Sequence, residues 1–412
     1  MIYADRSGQV FDHPDLRMAV WDGYSLREPT MEELIPMPAG SDLFVLPGRA
    51  PLGFSGKRSH LVEFAETPDG PTQAVSVFLA PAYLRLAHPA YRTLPDAAPL
   101  PLFAYSAVGW ADGRFWTTSL RIDPERRQDP NLFDESKIRN GIDRDLAKLP
   151  DNRLLKQLQR CALEYGCRAA QNLFLKRWEA PLPTSRSCNA ECFGCISKQN
   201  GPVLANHERL AFVPTPQEVF EVTDLHFSRV ENPIASFGQG CEGEPLTQWK
   251  VLLESVELIR NKYPKGTINL NTNASIPEAV EMLCKAGLSS MRVSIASPTR
   301  ELYDRYHNPV GYSFDDVLDS LRIAKRMGKL ISLNLLVFPG VTDREDEFAN
   351  LLEFLDEYDI DMIQWRNLNV DPEQYMGLMG TGPMGNGLMS VVEKIRELRP
   401  QIRHGYFNPF VG

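Results

Sequence analysis

The sequence predicts an α/β protein, a partial (β/α)6 barrel preceded by a β-rich accessory domain. Three observations carry this expectation. Beyond Ser185 short apolar strands alternate with amphipathic helices, the pattern of βα units laid into a parallel sheet. These units occupy about 230 residues, whereas eight repeats typically take about 250, so an open barrel of six strands fits better than a closed one. The first 150 residues are different: they carry strand and turn signals and many prolines.

In that first part, residues 1–150, "HLVEFAETPDGPTQAVSVFLA" places two apolar runs around Thr67-Pro68-Asp69-Gly70, where Pro fixes φ and Gly supplies a positive φ. "LPLFAYSAVGWADGRFWTTSLRI" repeats the design around Asp112-Gly113. Two hairpins are expected. Residues 151–183 form a helical connector: Leu154, Leu155, Leu158, Leu163 and Leu173 recur at mixed three and four spacing from Asn152 to about Trp178. The prolines of "EAPLPTSRS" then stop the helix.

The barrel is assigned to residues 184–370. Its strands start at Ile234, Thr267, Met291, Ile331 and Asp361, with a leading strand just before Cys188. Ser275-Ile276-Pro277-Glu278 and Ser313-Phe314-Asp315-Asp316 read as capping boxes, and Gly287 and Gly328 as helix ends. By period two, one strand face carries Ser236 and Gly238, then Asn269, Asn271 and Asn273, then Arg292 and Ser294, Ser332 and Asn334, and finally Gln364 and Arg366. A polar lumen of this kind suits a cavity for a large polar ligand, the alternative being polar groups that satisfy one another. Residues 371–412 follow as a Gly/Met-rich loop, a C-terminal helix and a tail. The loop contains "GTGPMG", but without a preceding strand this has no dinucleotide-binding context. It is expected to cover the barrel mouth.

Of the 412 residues 43% are hydrophobic and 24% charged, and the net charge is −9, which argues against a broad nucleic-acid footprint. No apolar run approaches the ~18 residues of a membrane span, and the N-terminus lacks the signature of a secretory signal. No membrane partner is expected. Seven cysteines, three of them clustered, suit reduced thiols in a cytoplasmic location better than a disulfide framework.

The cluster is Cys188, Cys192 and Cys195, spaced C-x3-C-x2-C in "SCNAECFGCISKQ". A zinc site would call for four Cys or His ligands in spaced pairs, and no partner pair follows. Three soft thiolates with one iron left open fit a [4Fe-4S] cluster. Placed at the start of a βα barrel, this spacing resembles the radical S-adenosylmethionine (SAM) superfamily. The resemblance implies an oxygen-sensitive enzyme in which the three cysteines hold the cluster and its fourth iron is chelated by SAM. Reductive cleavage then yields a 5'-deoxyadenosyl radical that abstracts hydrogen from a substrate. It also implies an electron donor such as flavodoxin or ferredoxin.

Other segments extend the resemblance. Within "FGQGCEGEPL", Gly240 and Gly243 with Glu244 are similar to the family's G-G-E-P element, which receives the SAM amino group. "NTNAS" is similar to S-T-N-G, which puts Thr272 and Asn273 near the cofactor, with Ala274 where glycine is usual. "VSIAS" resembles V-S-L-D-S and makes Ser294 a candidate ribose contact, while "LVFPGVTD" resembles the segment lining the adenine. Asn334 and Arg366, from the polar strand face, complete the cofactor-binding candidates, and Gln364 with Arg366 are candidate anchors for SAM or substrate. The family often has an aromatic just before the third cysteine. Here that position is Gly194, leaving Phe193 as the candidate adenine contact or a core residue.

Cys161, Cys167 and Cys241 could gather into an auxiliary cluster only if the helix breaks near Gly166; Cys284 reads as packing. The resemblance leaves the substrate unidentified, with a small metabolite, cofactor precursor or peptide as the classes it implies. Alternatives are an RNA-modifying member of the same superfamily and a non-catalytic iron-sulfur electron-transfer protein.

Overall fold

The computed structural model describes residues 1–56, 60–102, 105–239 and 241–412. Its centre is a seven-stranded parallel sheet in chain order. The strands are β1 (Glu179–Leu182), β2 (Ile234–Phe237), β3 (Thr267–Thr272), β4 (Ser290–Ile295), β5 (Leu330–Val337), β6 (Met362–Asn367) and β7 (Arg403–Gly405). The six expected strands are present, and β7 adds a short seventh beside β6. Helices return the chain between strands: α1 (Pro216–Phe227), α2 (Trp249–Lys262), α3 (Pro277–Ala286), α4 (Arg300–His307), α5 (Phe314–Arg326), α6 (Glu345–Glu357), α7 (Pro372–Met379) and α8 (Gly387–Leu398). The main apolar core lies between sheet and helices and runs from Leu84 to Ile402. Among the described residues no helix is long and apolar enough to cross a membrane.

Ser313 forms its capping box on α5, and Gly287 ends α3 in the left-handed region at φ 115°. Ser275 does not cap α3; the N-cap is Ile276. The reason is competition. The Ser275 amide donates to Asn273 Oδ1 at 3.1 Å and its hydroxyl accepts from Asn189 Nδ2 at 2.8 Å, so the side chain ties β3 to the cysteine loop instead.

The helical stretch divides at Gly166 into Arg153–Leu163 and Arg168–Phe174, and a further helix precedes it at Glu135–Lys148. In the N-terminal part, the hairpin at Asp112-Gly113 forms with Ala111 opposite Arg114. The other differs from expectation. Only Glu66–Thr67 and Gly70–Pro71 pair across the turn, while His60–Glu63 joins Arg49–Ser55 and Ala74–Phe78 joins Asp42–Leu46. A turn signal fixes a local reversal, whereas the neighbours of a strand are decided by the longer-range packing of its two faces.

This β-rich part rests on the C-terminal ends of β5 and β6. Asn367 accepts from the Arg85 amide at 2.8 Å and donates to the Tyr83 carbonyl at 2.9 Å. Arg49 and Asp371 form a buried ion pair at 3.0 Å. At the opposite face the chain after β7 crosses under the barrel. Asn408 accepts from Gln364 at 2.9 Å and donates to Glu179 at 2.7 Å, bridging β6 to β1. "GTGPMG" lies between α7 and α8, where the Gly380 carbonyl accepts from Arg344 just after β5.

Candidate active site

The three clustered cysteines sit on the loop after β1, at the C-terminal face where barrels build their sites. Two contacts fix that loop. The Gly243 amide donates to the Ser185 carbonyl and the Glu244 amide to the Ser187 carbonyl, both at 2.8 Å. A Cβ on Gly243 would stand 1.8 Å from the Ser187 carbonyl oxygen, so only glycine lets the turn after β2 approach this closely. Gly240 lies outside the described residues.

Burial pushes the Cys188 thiol up to about 11, with Glu244 adding to the effect, and burial with the neighbouring Cys188 and Cys195 pushes Cys192 higher still. Cys195 moves the other way. Burial would raise it, but hydrogen bonding to Ser197 at 3.5 Å and the Arg209 guanidinium at 3.6 Å more than offset that. Among the described residues no three His, Cys, Asp or Glu side chains converge closely enough for a single metal ion. A cubane cluster spreads its protein thiolates over separate irons and does not need that convergence. Three soft sulfurs on one loop are the donor set it requires.

Gly194 explains the missing aromatic. A Cβ there would lie 2.5 Å from Val370 Cγ1, 3.1 Å from Tyr306 Oη and 3.3 Å from Leu368 Cδ1. The position is filled from outside the loop. Phe193 packs against this same apolar cluster, 6.4 Å from the Tyr375 ring, and lines a cavity of about 330 Å³ together with Cys192, Cys195, Arg209, Leu100 and Leu102. The last two residues belong to the β-rich part, which therefore walls the approach to the cysteines.

Glu244 is buried and accepts hydrogen bonds from Thr272 Oγ1, the Asn273 amide at 2.8 Å and the Leu246 amide at 3.0 Å. Burial raises its carboxyl to about 7, with those donors pulling downward. The Asn273 side chain donates to Asn189 Oδ1 at 2.9 Å, which links the end of β3 to the cysteine loop. Ala274 takes φ 57°. That left-handed geometry accounts for a glycine preference at the position. Thus Glu244, Thr272, Asn273 and the cysteine loop come together on one rim. Ser294 stands apart from that group; its hydroxyl accepts from Asn334 Nδ2 at 2.9 Å, and Asn334 Oδ1 is buried without a partner.

The lumen is divided. Its lower part is satisfied internally: Asn269 Nδ2 donates to Asn271 Oδ1 at 2.9 Å, Ser290 donates to Asn269 Oδ1 at 2.8 Å, and Asn271 donates to the Phe237 carbonyl at 2.6 Å. Higher up, Arg292 and Arg366 both donate to Gln364 Oε1, at 3.3 and 3.1 Å. Asn269, Asn271 and Ser290 thus follow the alternative in which polar groups satisfy one another.

Two residues escaped the sequence. Glu242 is buried and accepts from the amides of Thr184, Ser185 and Gly238 at 2.8, 2.9 and 2.7 Å, pinning the start of the cysteine loop to the end of β2. His307 lies with Nδ1 3.5 Å from Cys192 Sγ. Neither has a spacing signal, because both meet the loop from elements distant in sequence. The Cys161 and Cys241 thiols lie close enough to perturb one another, lowering the first and raising the second, and Cys167 adds to the rise at Cys241. Cys284 is buried in the core.

A family model for the Radical SAM superfamily matches residues 182–354. The chain is 22% identical over 251 residues to FeMo cofactor biosynthesis protein NifB of Chlorobaculum tepidum, covering 54% of this chain and 55% of that one. It is 24% identical over 237 residues to a probable GTP 3',8-cyclase of Pyrococcus horikoshii, covering 55% of this chain and 70% of that one. The chain therefore spans only about half the length of the first relative. Similar solved structures include anSMEcpe with bound AdoMet (TM-score 0.38, 18% identity, 47% of this chain and 52% of that one) and methylornithine synthase (TM-score 0.39, 16% identity, 66% and 75%).

Proposed function

We propose that this chain, whose residues 182–354 match a family model for the Radical SAM superfamily, is a radical SAM enzyme whose Cys188, Cys192 and Cys195 hold the cluster. The family uses a [4Fe-4S] cluster and SAM. When bound, these supply a 5'-deoxyadenosyl radical by one-electron reductive cleavage of SAM. The observation that carries the reading is the close approach of Gly243 to Ser187, which sets the three-thiol loop beside the Glu244 carboxylate.

The protein's own part is to hold and to enclose. Glu244 offers the ammonium of SAM a buried carboxylate held in place by Thr272 and the Asn273 amide. Ser294, near the end of β4, and its register partner Asn334 on β5 are the ribose-side contacts, and Phe193 lines the cavity beside the thiols. Arg366 and Gln364 face the lumen as anchors. The β-rich part closes one side of the approach through Leu100 and Leu102, which limits water at the reacting centre. A flavodoxin- or ferredoxin-type donor would supply the electron that reduces the cluster held by these thiols. Seven free cysteines fit a reducing, cytoplasmic compartment.

The test is anaerobic reconstitution with iron, sulfide, SAM and reductant, measuring 5'-deoxyadenosine. Wild type forms a cluster and releases the product, and Cys188→Ala loses both. A Cys188→Ala protein that loads iron like wild type sinks the reading.

A further inference from the structure

The upper lumen holds an unusual charge arrangement. Arg292 on β4 and Arg366 on β6 share a single neutral acceptor, Gln364 Oε1. The Nε of each is buried without a partner. Arg366 also donates to the Tyr406 carbonyl and lies with its guanidinium carbon 3.5 Å from the centroid of the Tyr406 ring. Among the described residues, neither guanidinium has a carboxylate within ion-pair distance. Glu179 is the acid that attracts Arg292, and its Oε1 accepts instead from Gln239 at 2.8 Å and Asn408 at 2.7 Å. Burial and then the charge of Arg366 pull Arg292 down to about 9, so it remains a cation at neutral pH.

Two facing cations in a confined site are costly to bury unless an anion joins them. Guanidinium forks are suited to planar or tetrahedral oxyanions, which they bind through paired N–H donors. We propose that Arg292 and Arg366 form the recognition site for a carboxylate or phosphate group of the substrate. The inference rests on the enzymatic reading above and adds to it a substrate class, an anionic molecule held with its oxyanion toward β4 and β6.

The oxyanion belongs to the substrate rather than to SAM because of where Arg292 points. Its backbone pairs in register with Asn271, next to Thr272 on the Glu244 side. Its guanidinium, however, reaches past β5 to Gln364 on β6, away from that edge. Asn408 closes the lumen below, with its Oδ1 taken by Gln364 Nε2.

The experiment measures binding of two probes, inorganic phosphate and propionate, to the full reconstituted chain by titration calorimetry, with and without saturating SAM. At least one probe is expected to bind wild type, and Arg292→Gln and Arg366→Gln each weaken it about ten- to a hundredfold, as for loss of a charge-assisted hydrogen bond. Which probe binds separates a carboxylate from a phosphate. Arg292→Lys, which keeps the charge, retains part of the binding and serves where the glutamine variant fails to fold. Binding of neither probe, equal binding in all variants, or competitive displacement of the probe by SAM overturns the proposal. Cluster absorbance is read in the same samples. Probe binding that depends on the arginines in protein that takes up no cluster would sink the enzymatic reading and leave this site standing.

Discussion

His307 Nδ1 faces Cys192 Sγ at 3.5 Å, and the Ala296 amide donates to His307 Nε2 at 3.2 Å. The second contact settles the tautomer. Nε2 must be the acceptor, so the ring proton sits on Nδ1 and points at the sulfur. Burial holds the ring far below its usual range, at about 3, which keeps it neutral.

On the proposed reading Cys192 ligates the cluster, and hydrogen bonds to ligating sulfur stabilise the reduced state, so removing this one is expected to lower its potential. His307→Phe keeps a ring between Tyr303 and Tyr306. A net hydrogen bond of about 1 kcal/mol corresponds to about 40 mV for a one-electron couple. A redox titration followed by electron paramagnetic resonance should show a shift of that order to more negative values. An unchanged potential would mean that the contact is packing alone.

Gly194→Ala is expected to destabilise the protein by about 1–3 kcal/mol, the usual cost of overpacking. The new methyl would meet Val370 Cγ1 first. Val370→Ala in the same chain should recover much of the loss, and denaturant unfolding of the single and double variants gives the coupling. Independent, additive effects would rule out this contact as the cause.

Asp371 serves two roles at once. Oδ2 accepts from Arg49 at 3.0 Å and the Leu100 amide at 2.8 Å, while Oδ1 accepts from the Glu373 and Gln374 amides at the start of α7. Asp371→Ala leaves the Arg49 cation buried and unpaired, with an expected loss of about 3–5 kcal/mol. Replacing Arg49 as well should cost less than the sum of the two single changes. Strict additivity in denaturant unfolding would argue that the pair is not coupled.

His226 on α1 is buried, with Nε2 donating to the Trp178 carbonyl at 3.1 Å. Burial depresses it to about 4, against an ordinary value of 6.5, despite the opposing pull of that carbonyl. In the unfolded chain it takes up a proton below about pH 6.5. Its contribution is therefore complete above that pH and is lost as the pH falls toward about 4, by about 3 kcal/mol in all. The difference in unfolding free energy between wild type and His226→Gln should shrink as the pH falls through this window. A constant difference would contradict it.

The sequence carried the barrel well because its strands and helices announce themselves locally, through period-two polarity and caps such as Ser313. The three-thiol motif and the turn ending in Glu244 were legible for the same reason: their residues are close in sequence. His307 was not, since it stands 115 positions along the chain from Cys192. Gly194 could be seen as a departure but not explained, because Val370 and Leu368, which fill its place, arrive from the end of β6. The hairpin at Thr67–Gly70 misled because the turn is real while its flanking runs choose other partners.

Asn408 has a consequence for how the protein is made. During synthesis, β1 to β6 emerge before it does, so the lower lumen must exist for a time with its polar groups unmatched and its underside open. Assembly of the centre then waits on Asn408, which joins Gln364 and Glu179 from below and seals the interior.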